Sequence, residues 1–95
     1  MISVKVLPLS PKLTSKAKRL GVQKRLGKAI KLFESNPFYP GLNTELLEPK
    51  QMGIWSFRVD RKVRVLFFFR DDKQSLMSDN LKKAIEIINI TVHYH

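Results

Sequence analysis

The spacing of hydrophobic residues divides the chain into segments of different secondary structure. Residues 2–7 are rich in valine and isoleucine and alternate weakly, which predicts a short strand closed by Pro8. Hydrophobic residues then recur at intervals of three and four, first from Leu13 to Leu20 and again from Val22 to Phe33. These intervals predict two helices, separated by Gly21.

Prolines and capping residues mark the ends of both helices. Ser10 precedes Pro11, so Ser10 can cap the first helix while Pro11 takes the first helical position, where its missing N–H costs nothing. Asn36 and Pro37 are expected to end the second helix, because the residue before a proline disfavours helical geometry. The two helices are therefore predicted to form a hairpin with one apolar face and one strongly basic face.

The second half of the chain is predicted to form strands. Residues 38–53 are polar and interrupted by proline and glycine, so no regular element is expected there. Three strands are predicted after this connection, separated by a tight turn at 60–62 and a charged loop at 71–83: residues 54–59, 63–70 and 84–92.

The predicted element order, β-α-α-β-β-β, is typical of an α+β domain. It gives an antiparallel sheet with the helical hairpin packed on one face. A chain of 95 residues is long enough for one hydrophobic core and too short for two, so residues 1–95 are expected to form a single domain.

The composition excludes several classes of protein. The chain has no cysteine, which excludes disulfides and thiolate metal sites. No apolar run approaches the roughly 20 residues that a membrane span needs, so no membrane partner is expected. The first residues lack the pattern of a signal peptide, and a cytoplasmic protein is the default expectation.

The charge of the chain is strongly positive. Its 18 lysines and arginines against 8 acidic residues give a net charge of +10. No acidic residue precedes Glu34, whereas the predicted helices carry a dense set of basic ones: Lys12, Lys16, Lys18, Arg19, Lys24, Arg25, Lys28 and Lys31. Such a run can be only a solvated helix face. The near absence of carboxylates favours an anionic partner, either a phosphate backbone or an acidic protein segment.

Two arginines are predicted to face each other in the sheet. If the turn between the middle strands consists of residues 60–62, Arg58 and Arg64 lie directly opposite one another. Like charges in this arrangement destabilise a sheet, which favours a site that holds an anion between them. A two-residue turn would shift the register and separate them.

The only two histidines, His93 and His95, flank Tyr94 at the end of the sequence. Histidine is the side chain whose unperturbed pKa, about 6.5, suits proton transfer near neutral pH. The preceding strand could hold this tail in place, which makes the tail a candidate edge of an active site. The alternatives are surface histidines without a role and packing groups.

A family resemblance rests on residues of the second half of the chain. It consists of a run of 23 residues followed by a terminal His93-Tyr94: Glu45-Leu-Leu-Glu-Pro-Lys-Gln-Met-Gly53-Ile-Trp55-Ser56-Phe-Arg58-Val-Asp-Arg-Lys-Val-Arg64-Val-Leu-Phe. This pattern resembles the RelE/ParE superfamily of type II toxins, and within it most closely the YoeB-like ribonucleases. In that family a loop glutamate precedes a Gly-X-Trp-Ser-X-Arg strand, a second strand opens with arginine, and the last strand ends in histidine and tyrosine.

The resemblance implies an mRNA endoribonuclease that acts on translating ribosomes and is neutralised by a small acidic antitoxin. Family members make the RNA 2′-hydroxyl attack the adjacent phosphate, a reaction that needs no metal and no other cofactor. By resemblance Glu45 is the general base, although Glu48 lies close enough to compete. His93 is the general acid that protonates the leaving 5′-oxygen, and Arg64 binds the phosphate.

Further contacts to RNA are expected around these residues. Lys50 and Arg58 would support Arg64 electrostatically, and Tyr94 would position a base or stack on it. Arg61 in the turn, and two lysines of the basic helical face, Lys24 and Lys28, are candidates for phosphate contacts. Trp55 is expected to pack in the core. No role is expected for His95.

Two other functions stay open at this point. One is a toxin like the ParE branch, which inhibits DNA gyrase by protein contact and lacks the glutamate and histidine pair. The other is an RNA- or ribosome-binding module without catalysis, which would use only the basic face.

Overall fold

The computed structural model of the chain describes residues 3–71 and 82–92. Within this part the chain forms two helices and five strands, in the order β1 Ser3–Val6, α1 Pro11–Arg19, α2 Gln23–Ser35, β2 Glu45–Leu46, β3 Trp55–Arg58, β4 Val63–Asp71 and β5 Lys82–Val92. Two short 3-10 turns, Pro40–Leu42 and Lys50–Met52, flank β2. The predicted α+β class and the helical hairpin are confirmed.

The five strands form one sheet in the order β1-β5-β4-β3-β2. The pairs β3–β4 and β4–β5 are antiparallel, as predicted, and the pair β2–β3 is antiparallel too. The first strand departs from the wholly antiparallel expectation, since it pairs with the last strand in parallel, with Val6 opposite Ile85. Hydrophobic alternation selects the face that a strand buries and carries no information on the direction of its neighbour.

The predicted irregular connection at 38–53 contains a short strand that sequence analysis missed. Glu45 pairs with Ser56 and Leu46 with Trp55, and the N–H of Leu47 donates to the carbonyl of Ile54 at 2.8 Å. Two residues are too few to show a period in the sequence. This strand exists because β3 offers it hydrogen-bonding groups, so β2 is a product of tertiary pairing.

The ends of the helices follow the predicted chemistry. The Ser10 hydroxyl accepts a hydrogen bond from the N–H of Leu13 at 3.3 Å, the expected N-cap, and Pro11 opens α1. The second helix ends at Ser35, before Asn36. Its Glu34 carboxylate accepts the N–H of Val6 at 3.0 Å, which ties β1 to the helical layer.

The core lies between the helices and one face of the sheet. Phe33 of α2 is fully buried, stacks on Phe57 with ring centroids 4.6 Å apart, and meets Phe67 edge-on at 5.0 Å. Trp55 packs edge-on against Phe69 at 5.2 Å, in agreement with its predicted packing role. Both helices lie on this face, so within residues 3–71 and 82–92 no helix covers the opposite face of the sheet.

The two glycines of the helical hairpin give opposite predictions for alanine. Gly21, between the helices, has φ +70°, whereas Gly27 lies inside α2, and a Cβ at either position meets nothing within 4 Å. Gly27→Ala is therefore expected to raise the free energy of unfolding by about 0.5–1 kcal/mol through helix propensity. Gly21→Ala should lower it by roughly 1–2 kcal/mol, because a Cβ is strained at positive φ. Urea unfolding of both variants checks this pair, and shifts of the same sign would contradict it.

Candidate active site

A cleft lies on the face of the sheet that the helices do not cover. Along β3 and β4 the buried Phe57, Val65 and Phe67 alternate with Ser56, Arg58, Arg64 and Leu66. Successive residues of a strand point to opposite faces, so this second set projects away from the core. The cleft measures about 360 Å³ and is lined by Glu45, Leu47, Ser56, Arg58, Arg61, Arg64 and Leu66.

The predicted arginine pair lies in this cleft. Arg58 is directly opposite Arg64 in the β3–β4 register, and the N–H of Val59 donates to the carbonyl of Val63 at 2.9 Å. The turn is therefore the three-residue turn 60–62, as predicted. Arg61 adds a third guanidinium from the turn, so the cleft holds three positive side chains and one carboxylate. Its electrostatic potential favours an anion.

Asp60 holds the turn that fixes the arginine register. One oxygen of its carboxylate accepts the N–H groups of Lys62 and Val63, both at 2.8 Å, and the other accepts from Arg25 of α2 at 3.0 Å. Burial opposes the charge, but these donors outweigh it and set the pKa of Asp60 below its ordinary value of 3.8. The Asp60 carboxylate therefore contributes its full stabilisation of the folded protein at pH values above 3.8. This contribution is lost as the pH falls through the lowered pKa.

An ion pair joins the predicted base to the predicted phosphate-binding arginine. Nη1 of Arg64 lies 2.7 Å from Oε1 of Glu45, with 24% of the arginine side chain and 54% of the glutamate side chain exposed. Arg64 is on β4 and Glu45 on β2, so the pair spans the intervening strand β3. Glu48 is exposed and does not line the cleft. Of the two glutamates that the sequence left open, only Glu45 meets the arginines.

The predicted lysines lie at different distances from this cleft. Lys28 lines a neighbouring cavity of about 280 Å³ together with Arg25, and Arg58 borders both cavities. The basic face of α2 therefore borders a cavity that shares Arg58 with the cleft. Lys24 and Lys50 are exposed and line neither cavity.

The predicted C-terminal site residues, His93 and Tyr94, lie outside the described residues, as does His95. The register of β5 is described up to Val92, which pairs with Val63, and Thr91 pairs with Arg64. The backbone of β5 therefore runs past the row of the sheet that holds the arginine pair.

Sequence analysis assigned no role to three residues of the cleft, Leu47, Ser56 and Leu66, and the polar one among them is Ser56. It is fully buried, and its hydroxyl has no hydrogen-bond partner within 3–71 and 82–92. The signal in the sequence was its place in the Gly-X-Trp-Ser-X-Arg pattern, which by itself assigns the serine no role. Burial of this hydroxyl depends on neighbours from three strands, which no local pattern encodes.

Two further properties of the described residues bear on the class of site. No group of three or more histidine, cysteine, aspartate or glutamate side chains among them lies close enough to hold a metal ion. None of the helices in this part of the chain combines the length and the apolar character needed to cross a membrane.

Several solved structures resemble the chain over nearly its whole length. A YoeB/ParE toxin from Agrobacterium tumefaciens has a TM-score of 0.62 and 17% identity, covering 98% of this chain and 100% of that chain. A YoeB-YefM complex from Staphylococcus aureus has a TM-score of 0.58 and 18% identity, covering 99% of each chain. A copper-bound mutant toxin from Helicobacter pylori has a TM-score of 0.62 and 16% identity, covering 98% of this chain and 96% of that chain.

The likeness to these structures is one of fold. No protein-family model matches the chain, and no curated protein matches it. The two helices on one face of a mostly antiparallel sheet nevertheless agree with these toxins across nearly the full length of both chains. The chain therefore has the fold of the YoeB and ParE toxins, the fold that the sequence resemblance implied.

Proposed function

We propose that this protein is a toxin of the RelE/ParE superfamily, of the YoeB type, which cleaves mRNA on the ribosome in the cytoplasm. The contact between Glu45 and Arg64 in a cleft with two more arginines is the observation that carries this proposal. It brings a proton acceptor and an anion-binding group to neighbouring positions, which is what attack of a 2′-hydroxyl on the adjacent phosphate requires.

The proposed reaction assigns one task to each group. Glu45 takes the proton of the 2′-hydroxyl as its oxygen bonds to phosphorus. Arg64 holds the phosphate with its planar fork and stabilises the charge of the pentacoordinate state, supported by Arg58 across the strand pair. The bond from phosphorus to the 5′-oxygen breaks, and His93 gives that oxygen a proton. The products are a 2′,3′-cyclic phosphate and a free 5′-hydroxyl.

The basic helical surface is assigned to positioning. Lys24, Arg25 and Lys28 are exposed on α2, and Lys50 is exposed in the connection between β2 and β3. Contacts of such side chains to RNA phosphates orient a complex without selecting a sequence. Ribosomal RNA and mRNA are the proposed partners of this surface, and binding should weaken with added salt.

An antitoxin is the proposed regulatory partner. One of the similar structures is a complex of YoeB with YefM. The net charge of +10 of the present chain suits a small acidic antitoxin with a disordered segment that folds over the basic surface.

The test of the proposed function is cleavage in a translation system. We expect the added protein to stop synthesis and to leave cuts in ribosome-bound mRNA. His93→Ala should slow cleavage by about 10²–10⁴-fold, because proton transfer to the leaving oxygen is lost. His95→Ala is the matched control and should cut at the parental rate.

Three outcomes would contradict the proposal at different levels. Intact mRNA together with lost supercoiling activity would indicate a gyrase inhibitor of the ParE kind. Ribosome binding without cuts would indicate a binding module. Parental cleavage by His93→Ala would remove only the assignment of the general acid.

A further inference from the structure

Ser56 carries the one buried side-chain oxygen of the described structure that lacks a hydrogen bond. Ser56 is fully buried, and its Oγ contacts neither solvent nor a partner. A buried hydroxyl without a partner lowers stability, so such groups are rare in native proteins and call for an explanation. The explanation here comes from its neighbours in the cleft.

Ser56 lies on β3, the strand between the two members of the ion pair. Its direct partner on β2 is Glu45, and Arg64 on β4 reaches past β3 to that same glutamate. All three residues line one cleft. Directly opposed residues of antiparallel strands have Cβ atoms about 4.5–5.5 Å apart, which is within the reach of a glutamate side chain. The Ser56 hydroxyl is therefore a donor near a carboxylate that is engaged elsewhere.

The ion pair and the proposed chemistry make conflicting demands on Arg64. The Arg64 guanidinium that orients the Glu45 carboxylate is also the group that has to hold the phosphate. A phosphate bound at Arg64 competes for the same guanidinium. Glu45 then loses the contact that orients it, although a general base has to stay within hydrogen-bond reach of its target.

We propose that the Ser56 hydroxyl donates a hydrogen bond to the Glu45 carboxylate when an RNA phosphate draws Arg64 away. This hydrogen bond then orients the base for the reaction. Ser56 is then a positioning residue that acts through Glu45. The stability lost by burying its unpartnered hydroxyl is accepted because this donor is needed during the reaction. This inference rests on the proposed function for its catalytic meaning, and on the geometry of the cleft for the exchange of partners.

A simpler role for Ser56 makes a different prediction. The ion pair spans β3, and the simpler role is that position 56 only has to be small enough to leave room for it. If size were the whole requirement, alanine would serve equally well in every background. The substitution Ser56→Ala therefore separates the two roles.

The first experiment measures stability and needs no RNA. In the parental protein, Ser56→Ala should leave the urea midpoint unchanged or raise it, because it removes an unsatisfied hydroxyl. In an Arg64→Ala background Glu45 is free to accept from Ser56, so the same substitution should lower the midpoint. Ser35→Ala, at an exposed serine that ends α2, is the matched control and should give the same shift in both backgrounds. Equal shifts for Ser56→Ala in both backgrounds would overturn the exchange of partners.

The second experiment measures single-turnover cleavage of ribosome-bound mRNA. Ser56→Ala should lower kcat by about ten- to a hundredfold, the effect of one hydrogen bond to a charged group, with KM little changed. In a Glu45→Ala background it should add no further loss, since its effect passes through Glu45. Parental kcat in Ser56→Ala, or an equal loss in both backgrounds, would overturn the positioning role. A parental protein that cuts no RNA would overturn the proposed function, while the stability experiment would still decide whether the partners exchange.

Discussion

Arg64→Gln is expected to reduce cleavage of ribosome-bound mRNA by about 10²–10³-fold, the loss typical of removing one group that stabilises developing charge. Arg64 lies in the cleft opposite Arg58 and in contact with Glu45, so its planar fork is next to the proposed base. Glutamine keeps most of the length of the side chain and removes the charge and the fork. Single-turnover cleavage with saturating ribosomes measures the effect on the chemical step.

Arg70→Gln is the matched control for Arg64→Gln. Arg70 lies on the same strand and makes an ion pair of the same length, 2.7 Å, with Glu86, outside the cleft. Both variants lose one positive charge, so general attraction to RNA falls equally, whereas only Arg64→Gln removes a cleft group. We expect near-parental cleavage from Arg70→Gln. Equal losses in the two variants would show that net charge, and not the cleft, sets the rate.

The stability of Arg64→Gln should stay close to that of the parental protein. Its ion pair with Glu45 is partly exposed, with 54% of the glutamate side chain open to solvent. Exposed pairs of this kind contribute about 0–1 kcal/mol. A parental urea midpoint together with lost cleavage would therefore separate the catalytic effect from unfolding.

Phe67→Ala is expected to lower the free energy of unfolding by about 3–5 kcal/mol. The Phe67 ring is fully buried among Phe33 at 5.0 Å, Phe57 at 5.7 Å and Phe69 at 5.3 Å. Alanine leaves a cavity between α2 and the middle of the sheet, where rigid neighbours cannot close it. The total free energy of unfolding of a domain of this size is about 5–15 kcal/mol, so the variant should be close to the limit at which it still folds. Urea unfolding at a fixed temperature measures the loss.

Phe38→Ala is the matched control for Phe67→Ala, since it removes the same atoms from the surface. Phe38 is 54% exposed, and its ring lies edge-on to that of Trp55, with ring centroids 6.2 Å apart. We expect its cost to be about 1 kcal/mol or less. Similar losses for the two variants would mean that the aromatic cluster around Phe33 is not the centre of the core.

Local chemistry explains the parts of the fold that sequence analysis predicted. The Ser10-Pro11 start, Gly21 and the spacing of apolar residues in α2 act within a few residues, and the helical hairpin was predicted from them. The alternation of β3 and β4 and the three-residue turn at 60–62 likewise predicted the opposition of Arg58 and Arg64. In each case the determining interactions lie within one element or one turn.

Interactions between distant segments explain the parts that it did not predict. The strand β2 forms only through its pairing with β3, and the parallel contact between β1 and β5 joins residues almost the whole chain apart. The Asp60 carboxylate combines local and distant interactions. Two of its hydrogen-bond donors come from the turn itself, and the third, Arg25, comes from α2. Neither the alternation of hydrophobic residues nor the strand propensity of a segment indicates which other segment it will pair with.

By itself the sequence determined the α+β class, the basic face of the helices and the candidate side chains Glu45, Arg58 and Arg64, because composition, period and motif are local properties. Only the tertiary structure decided that Glu45, and not Glu48, meets the arginines, and that the ion pair spans β3, the strand that carries the buried Ser56. The physical reason is that three strands have to assemble before a carboxylate, a guanidinium and a hydroxyl share one cleft. The pairing of those strands is a property of the whole sheet.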